Sequence, residues 1–386
     1  MKKKVISIVL AGALVVSMGA MAGCGSSSDD SGDTTDTTES AAEETSAEAE
    51  ADAEAEADAD AEDESGVGEY DLSGLDQTYT LTLTQHDPEN SATGTFLNNF
   101  AAAVEEASEG YLTIEVYHGA TLAGPKDTYD YVLNGSADIG WGLQSFYADT
   151  FPVTEVFMLP LIDIQSATNG SQAIWEFWNT TDYMDEEYSN FHVLLLHTNC
   201  QSAIETVSTK IETLDDLVGM QLRGNAGPPT DFISNLGANP VSVSINDLYS
   251  NLDKGTLDGC ITDWHAVNSF SLDEVLSWYL DENIGVSTYF MVMNQDSYDA
   301  LPEVLQQLLD DVAEDSLKYT EVWDQYEEEV KEAVADKLYN LSDDERAKLE
   351  EVAQQTIDEW IESMDAAGYD GQAIYDTAME CIANNQ

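Results

Sequence analysis

The sequence predicts an α/β fold made of two similar lobes with a cleft between them, followed by a helical C-terminal region. Strand-like and helix-like segments alternate from residue 79 onward, which is typical of a mostly parallel sheet covered by helices. A short motif also recurs, first as Asn134–Gly140 and again as Lys254–Gly259. Each copy turns at a glycine and places an aspartate at the edge of an apolar strand. The recurrence indicates two units of similar construction.

The first predicted lobe begins with Tyr79–Thr84, whose side chains alternate with period two as in a half-buried strand. Glycines then end the two helices that follow, at Gly110 and at Gly135. The predicted elements up to residue 141 are strand 79–84, helix 95–108, strand 112–117, helix 126–134 and strand 137–141.

Beyond Leu301 the pattern becomes helical, because apolar residues recur at a spacing of about 3.6. Ser342 and Glu345 have the spacing of a capping box and predict the start of a later helix. The tryptophans of this region, Trp323 and Trp360, are expected to pack in the core.

Residues 1–23 have the composition of a signal peptide and are excluded from the predicted fold. Three lysines precede an apolar run that ends at Met21-Ala22-Gly23-Cys24, which is similar to the lipobox of bacterial lipoproteins. We therefore expect a lipid on Cys24, which would anchor the protein to the outer face of the cell membrane. An uncleaved membrane anchor is the alternative, although the apolar run is short for a full span.

Residues 24–69 are predicted to form a disordered acidic tether, since positions 25–66 contain no basic and no aromatic residue. Residues 70–386 are the part expected to fold. The whole chain has 76 acidic and 12 basic residues, a formal net charge of −64. This balance argues against nucleic acid and anionic lipid surfaces as partners.

The sequence contains no recognised catalytic set. It lacks a Gly-x-Ser-x-Gly elbow, a glycine-rich phosphate loop and a His-Glu-x-x-His motif. His192 and His197 lie inside one apolar strand, where core packing is expected. Cys200, Cys260 and Cys381 do not have the spacing of metal ligands. The sequence leaves two alternatives, a disulfide between Cys200 and Cys260 or buried free thiols. We therefore expect a protein without enzymatic activity, metal or cofactor.

Arg223 is one of only two arginines in this acidic chain. It follows a short apolar run and precedes a Gly/Pro-rich loop, so we expect it at the end of a buried strand. Its guanidinium can bind both oxygens of a carboxylate, which a lysine cannot do. Its position alone fits equally well a structural ion pair and the binding of an anionic ligand.

The segment Leu214–Arg223 resembles the "DL-x-G-x-K-hydrophobic-R" segment of solute-binding proteins of tripartite ATP-independent periplasmic (TRAP-type) transporters. The resemblance continues in order through residues 131–140, 157–160, 236–241, 247–249 and 254–259. It implies a periplasmic-binding-protein-like fold, whose two lobes are joined by strands and a long helix and close on a small organic acid. It also implies delivery of that acid to the membrane permease subunits. In the family, the arginine at the position of Arg223 pairs with the ligand carboxylate.

Two departures from the family pattern refine the expected ligand. Many members carry a second arginine where this chain has Asn199–Ala203, so a single carboxylate is favoured over two. Many also have a Gln-Glu-Asn run where this chain has Cys260–Trp264, which adds a large aromatic side chain. We therefore expect a monocarboxylate with an apolar or aromatic body.

Further candidate ligand-binding residues follow predicted strands at the cleft. Trp141 and Trp264 would stack on the ligand body, although core packing accounts for a tryptophan equally well. Asp263 would either hold Arg223 in the empty cleft or accept a hydrogen bond from a ligand hydroxyl or amine. The remaining candidates are Gln144, Asn199, Asn225, Thr262 and His86.

Two other classes of protein remain as alternatives. One is a solute-binding lipoprotein of an ATP-driven importer with a sugar or amino-acid ligand, and a sugar would need aromatic side chains on both lobes and would make no use of Arg223. The other is an extracellular enzyme or a sensor module for a different small molecule.

Overall fold

A computed structural model describes residues 70–386. The predicted signal peptide at 1–23, the lipidation site Cys24 and the tether at 24–69 therefore lie outside the described residues. Within residues 70–386, no helix combines the length and the apolar character needed to span a bilayer.

The strands are numbered here in chain order. They are β1 Tyr79–Thr84, β2 Leu112–Tyr117, β3 Ile139–Leu143, β4 Phe191–Thr198, β5 Ser202–Thr206, β6 Gln221–Arg223, β7 Asn239–Val241, β8 Gly259–Asp263, β9 Trp278–Gly285, β10 Thr288–Asn294 and β11 Leu338–Tyr339. The α-helices are α1 Ala92–Ala107, α2 Thr128–Leu133, α3 Ala167–Thr180, α4 Asp185–Tyr188, α5 Pro228–Asn235, α6 Ile245–Asp253, α7 Trp264–Ser269, α8 Gln295–Asp299, α9 Glu303–Asp315, α10 Glu321–Ala333, α11 Asp343–Ala367 and α12 Gly371–Asn384.

Each lobe is built on one mixed sheet. The first sheet has the strand order β2-β1-β3-β10-β4, and the second has the order β11-β9-β5-β8-β6-β7. Neighbouring strands are parallel within β2-β1-β3 and within β8-β6-β7. The pair β11-β9 is parallel as well, but the prediction of a mostly parallel sheet is wrong around β10 and β5, which run antiparallel to both of their neighbours. Each of these two strands continues, almost without a break, from a strand of the other sheet.

Two of the passages between the sheets are adjacent crossings from strand to strand. Strand β4 leads into β5 through residues 199–201, and β9 leads into β10 through residues 286–287. Asn199 joins the two crossings: its backbone N–H donates to the carbonyl of Ser287 at 3.2 Å, and its Oδ1 accepts the N–H of Ser287 at 2.8 Å. The second crossing begins at Gly285, whose φ of +154° is a conformation that side chains disfavour. These two crossings therefore form a paired hinge between the lobes.

Helix α11 provides a third connection, and it is the long helix that the resemblance implied. Near its start, Leu349 and Ala353 pack in a core cluster with Leu222 of the second sheet. Near its end, Trp360 and Met364 pack in a different cluster that also contains residues of α3 and α12. The helix thus contributes to the cores on both sides of the hinge.

The start of α11 shows only half of the predicted capping box. The Ser342 hydroxyl accepts the N–H of Glu345 at 3.4 Å. The carboxylate of Glu345 does not return to the Ser342 backbone, because it accepts the N–H of Leu214 and pairs with Lys348 instead. The predicted core positions of Trp323 and Trp360 agree with the structure, in which both are buried.

The three cysteines of the described part, Cys200, Cys260 and Cys381, are buried free thiols. The disulfide that the sequence left open between the first two is therefore not formed.

Candidate functional site

Arg223 is the last residue of β6, and it stands in a row with side chains of two other strands. It is in register with Cys260 of β8, and Cys260 is opposite Glu205 of β5. Residues directly opposite one another in a sheet point to the same face, so these three side chains are neighbours.

The guanidinium of Arg223 is buried and forms no ion pair among residues 70–386, although the Asp263 and Glu205 carboxyls raise its pKa from a longer distance. The residue is 3 % exposed, and its Nε has no hydrogen-bond partner. None of the ion pairs formed in the described part of the chain includes it. Burial lowers the pKa of Arg223, but a guanidinium stays protonated at neutral pH. The structural ion pair weighed from the sequence is therefore absent, and an unpaired buried cation is costly unless an anion joins it.

Glu205 does not neutralise Arg223 from within the protein. Its Oε2 accepts a hydrogen bond from the Cys260 thiol at 3.3 Å, and its Oε1 is buried without a partner. Burial raises the pKa of Glu205 well above its usual value, which favours the neutral acid. The positive charge of Arg223 is thus left available to a ligand.

Arg223 lines a cavity of about 350 Å³ between the lobes. A second cavity of about 930 Å³ adjoins it and shares Phe146, Arg223 and Asn225. Within the described residues, no group of histidine, cysteine, aspartate and glutamate side chains is arranged to hold a metal ion.

Apolar and aromatic side chains form much of the wall of the 350 Å³ cavity. The largest is Tyr289 of β10, whose ring stacks on Trp141 with a centroid distance of 4.6 Å and an interplanar angle of 13°. Its hydroxyl accepts a hydrogen bond from Asn199 Nδ2 at 3.1 Å. Tyr289 is therefore fixed both by stacking and by a hydrogen bond. The other apolar members of the wall are Leu143, Phe146, Ile245, Ala266 and Phe270.

Two histidine–aspartate pairs complete the wall, one from each lobe. His86 and Asp87 follow β1, and His86 Nε2 lies 3.5 Å from Asp87 Oδ1. Asp263 ends β8, and its Oδ1 lies 3.4 Å from His265 Nδ1. Burial is the main cause that lowers the pKa of His86, and His265 lowers it further. Both imidazoles line the same cavity.

Five of the nine residues predicted from the sequence come together on this wall. They are Arg223, Asn225, Thr262, Asp263 and His86. Asp263 does not hold Arg223. Its Oδ1 instead accepts the N–H of Ala266 at 3.0 Å and caps the start of α7. Asn225 donates to Ser287 Oγ at 3.0 Å, so it contacts the hinge.

The two predicted tryptophans are fully buried and do not line the cavity. Trp141 donates from Nε1 to His197 Nε2 at 2.8 Å and supports Tyr289 from behind. Trp264 is the first residue of α7 and packs against the ring of Tyr279 at 5.7 Å. The structure therefore corrects the prediction that these indoles stack on a ligand, and supports the packing alternative.

Gln144 and Asn199 also lie behind the wall. Gln144 is buried and donates to the Tyr188 hydroxyl at 3.1 Å. Asn199 reaches the cavity only through Tyr289. Both residues were predicted to contact a ligand, but neither of them lines the cavity.

Eight wall residues were not predicted: Asp87, Leu143, Phe146, Ile245, His265, Ala266, Phe270 and Tyr289. Asp87 and His265 are close in sequence to the predicted His86 and Asp263, so the same strand-end argument would have included them. Tyr289 lies in an apolar strand that crosses back from the second lobe, and its sequence pattern carries no sign of which side chain faces the cleft.

The sequence profile described as "Bacterial extracellular solute-binding protein, family 7" (DctP) matches residues 83–363. A solute-binding protein of Chromohalobacter salexigens is 24% identical over 284 residues, which are 71% of this chain and 82% of that protein.

Two solved structures share the fold. One is a TRAP solute-binding protein from a marine metagenome, specific for aromatic acid ligands and crystallised with 3-hydroxybenzoate. It has a TM-score of 0.76 and 24% identity, covering 81% of this chain and 100% of that one. The other is a TRAP solute-binding protein from Rhodoferax ferrireducens in complex with copurified benzoate. It has a TM-score of 0.74 and 27% identity, covering 79% of this chain and 98% of that one.

Proposed function

Because the chain belongs to family 7 of the bacterial extracellular solute-binding proteins, which are receptors and not enzymes, we propose that it captures an organic acid with one carboxylate and an apolar or aromatic body. The observation that carries this proposal is Arg223, a buried cation without an ion-pair partner among residues 70–386, on the wall of an interlobe cavity. A ligand carboxylate bound by its fork of N–H groups would supply the missing anion through paired, charge-assisted hydrogen bonds.

The preference for one carboxylate follows from the charges of the 350 Å³ cavity. Its wall includes one arginine, Arg223, and two acidic residues, Asp87 and Asp263. Within this cavity, a second ligand carboxylate would approach these acids without a cation to pair with, since Lys126 lines only the adjoining cavity. Buried charges without partners are strongly disfavoured.

The preference for an aromatic or apolar body follows from the rest of the wall. Tyr289, Phe146 and Phe270 offer rings that can pack against a ligand ring. The benzoate complex of the Rhodoferax ferrireducens receptor supports the same choice.

The proposal is tested by calorimetric titration of the full chain with benzoate, benzamide and succinate. Benzamide has nearly the shape of benzoate but no charge, and succinate has a second carboxylate and no ring. We expect benzoate to bind about 100-fold more tightly than benzamide, since losing one partner of a buried charge pair costs about 2–5 kcal/mol. Equal binding of benzoate and benzamide would contradict the role of Arg223, and tighter binding of succinate would contradict the single carboxylate.

We further propose that the receptor is anchored to the outer face of the cell membrane by a lipid on Cys24 and delivers its ligand to a TRAP-type permease. The lipobox-like residues 21–24 support the anchor, and the family match supports the transporter type. Metabolic labelling with an alkyne fatty acid tests the anchor. Label is expected on the wild-type chain and not on Cys24→Ala, and equal labelling of both would contradict it. Uptake of the ligand into membrane vesicles that contain the permease, with and without receptor, tests delivery.

A further inference from the structure

The two histidine–aspartate pairs form a polar part of the cavity that the carboxylate anchor does not explain. His86 and Asp87 come from the first lobe, and Asp263 and His265 come from the second. All four residues are less than a tenth exposed. They line the same cavity as Arg223 but form no ion pair with it.

Several acceptor atoms of these pairs have no partner within residues 70–386. His86 Nδ1 and His265 Nε2 are buried without a hydrogen bond. In a neutral imidazole whose other nitrogen directs its hydrogen at an aspartate, that free nitrogen is an acceptor. The Oδ1 of Asp263 is occupied by the N–H of Ala266, while its Oδ2 makes no hydrogen bond in the described part of the chain.

The charges of the cavity also favour a ligand that carries a hydrogen-bond donor. With neutral histidines, Arg223, Asp87 and Asp263 together carry a formal charge of −1. A bound carboxylate would raise this to −2 and would occupy the guanidinium donors of Arg223. The remaining wall would then hold more acceptors than donors, which is unfavourable in a buried site unless the ligand brings a donor of its own.

We propose that these two pairs form a second subsite, which receives a hydrogen-bond donor of the ligand. The preferred ligand is then an aromatic acid that also carries a hydroxyl or an ammonium group. This inference rests on the proposed function, because it requires Arg223 to hold the carboxylate. Since each lobe supplies one pair, a donor bound between them contacts both lobes at once and favours the closed form.

The test uses acids that share a benzoate core and differ in one substituent. Calorimetric titration of the full chain compares benzoate with its 3- and 4-substituted hydroxy, aminomethyl and methoxy derivatives. At least one hydroxy or aminomethyl acid is expected to bind about tenfold or more tightly than benzoate, since a hydrogen bond to a charged group is strong. The methoxy acids have similar bulk without a donor and are expected to gain nothing. The hydroxy and aminomethyl results distinguish the two kinds of donor.

Asp263→Asn and Asp87→Asn then connect the preference to the subsite. Asparagine is also a good helix cap, so Asp263→Asn is expected to preserve the start of α7. The matched control is Asp370→Asn, because Asp370 caps α12 in the same way and is not part of the cavity. The ratio of benzoate to donor-acid dissociation constants is expected to fall several-fold in the two cavity variants and to stay unchanged in the control.

Three results would overturn this inference. In the first, the wild-type chain binds benzoate as tightly as every donor-bearing acid, which leaves the proposed function intact. In the second, neither aspartate variant changes the ratio. In the third, none of these acids binds at all, which removes the proposed function together with the subsite.

Discussion

The two arginines of this chain lie in opposite environments. Arg346, in α11, is half exposed, and its Nη1 lies 2.7 Å from Oε2 of Glu282, a buried carboxylate of β9. Its Nε lies 3.4 Å from Glu350, one helical turn away. Arg223 is almost fully buried, yet none of the described residues forms an ion pair with it.

This difference separates a structural cation from one that we propose binds a ligand. Arg346 neutralises an acid that the fold has already buried, so it stabilises the protein. Arg223 introduces a buried charge that the fold does not neutralise, so it costs stability while the cleft is empty. A buried charge that lowers the stability of the empty protein is evidence for a ligand. A charge with an ion-pair partner is explained by its contribution to the stability of the fold.

The largest effect is expected from Arg223→Met, which keeps an unbranched stem in the side chain and removes its charge. Affinity for the aromatic acid should fall about 100-fold or more, because the ligand carboxylate would be buried without a partner. The free energy of unfolding of the empty protein should stay the same or rise. Calorimetry and urea denaturation measure the two effects, and a loss of stability above about 1 kcal/mol would reveal a structural partner that the comparison excludes.

The matched change Arg346→Met should have the opposite profile. It leaves Glu282 buried, with the N–H of Leu341 at 2.6 Å as its other partner, so the free energy of unfolding should fall by about 1–3 kcal/mol. Ligand affinity should not change, because Arg346 is not among the cavity residues. Unfolding in urea with and without ligand checks both statements. An unchanged unfolding midpoint would contradict the stabilising role of Arg346.

A smaller effect is expected from Arg223→Lys, which keeps the charge and loses the two-pronged geometry. Affinity should fall at least tenfold, which is about 1.4 kcal/mol, but less than in Arg223→Met. Arg346→Lys is the control, and its dissociation constant should equal that of the wild type. Unchanged affinity in Arg223→Lys, measured by calorimetry, would show that the site requires only a positive charge.

The smallest effect on binding is expected from Glu205→Gln, which tests whether Arg223 has a hidden counter-ion. Because burial raises the pKa of Glu205 and so favours the neutral acid, affinity should change by less than about threefold. A change of tenfold or more would show that Glu205 is ionised and paired with Arg223.

The same variant has a distinct pH dependence. A carboxyl whose pKa is raised in the folded state stabilises the fold fully below its unfolded value, near 4.5, and this stability is lost as the pH rises. Glu205→Gln has no such group, so it should gain stability relative to the wild type as the pH increases above about 4.5. Denaturation at pH 4 and pH 8 measures the difference, and parallel profiles for the two proteins would contradict the raised pKa.

Local patterns in the sequence predicted much of the fold and the strand-end part of the site. Arg223, Thr262 and Asp263 could be found because each closes an apolar strand at the cleft. The antiparallel crossings could not be predicted, since β5 and β10 obtain their direction from the strand of the other sheet that precedes them. For the same reason, Tyr289 was not predicted as a wall residue. Trp141 was predicted to contact the ligand instead, but it stacks on the far side of the Tyr289 ring.

The paired hinge has a consequence for how long a ligand stays. Asn199 and Ser287 join the two crossings by backbone and side-chain hydrogen bonds, and Tyr289, two positions further on, forms part of the cavity wall. Opening the lobes has to bend the chain where these bonds are made. The dissociation rate of the ligand is therefore expected to depend on Asn199 and Ser287, which do not line the cavity around Arg223. The residence time of the ligand and its affinity can then be adjusted separately. For a receptor that we propose releases its ligand to a permease, that separation matters as much as affinity.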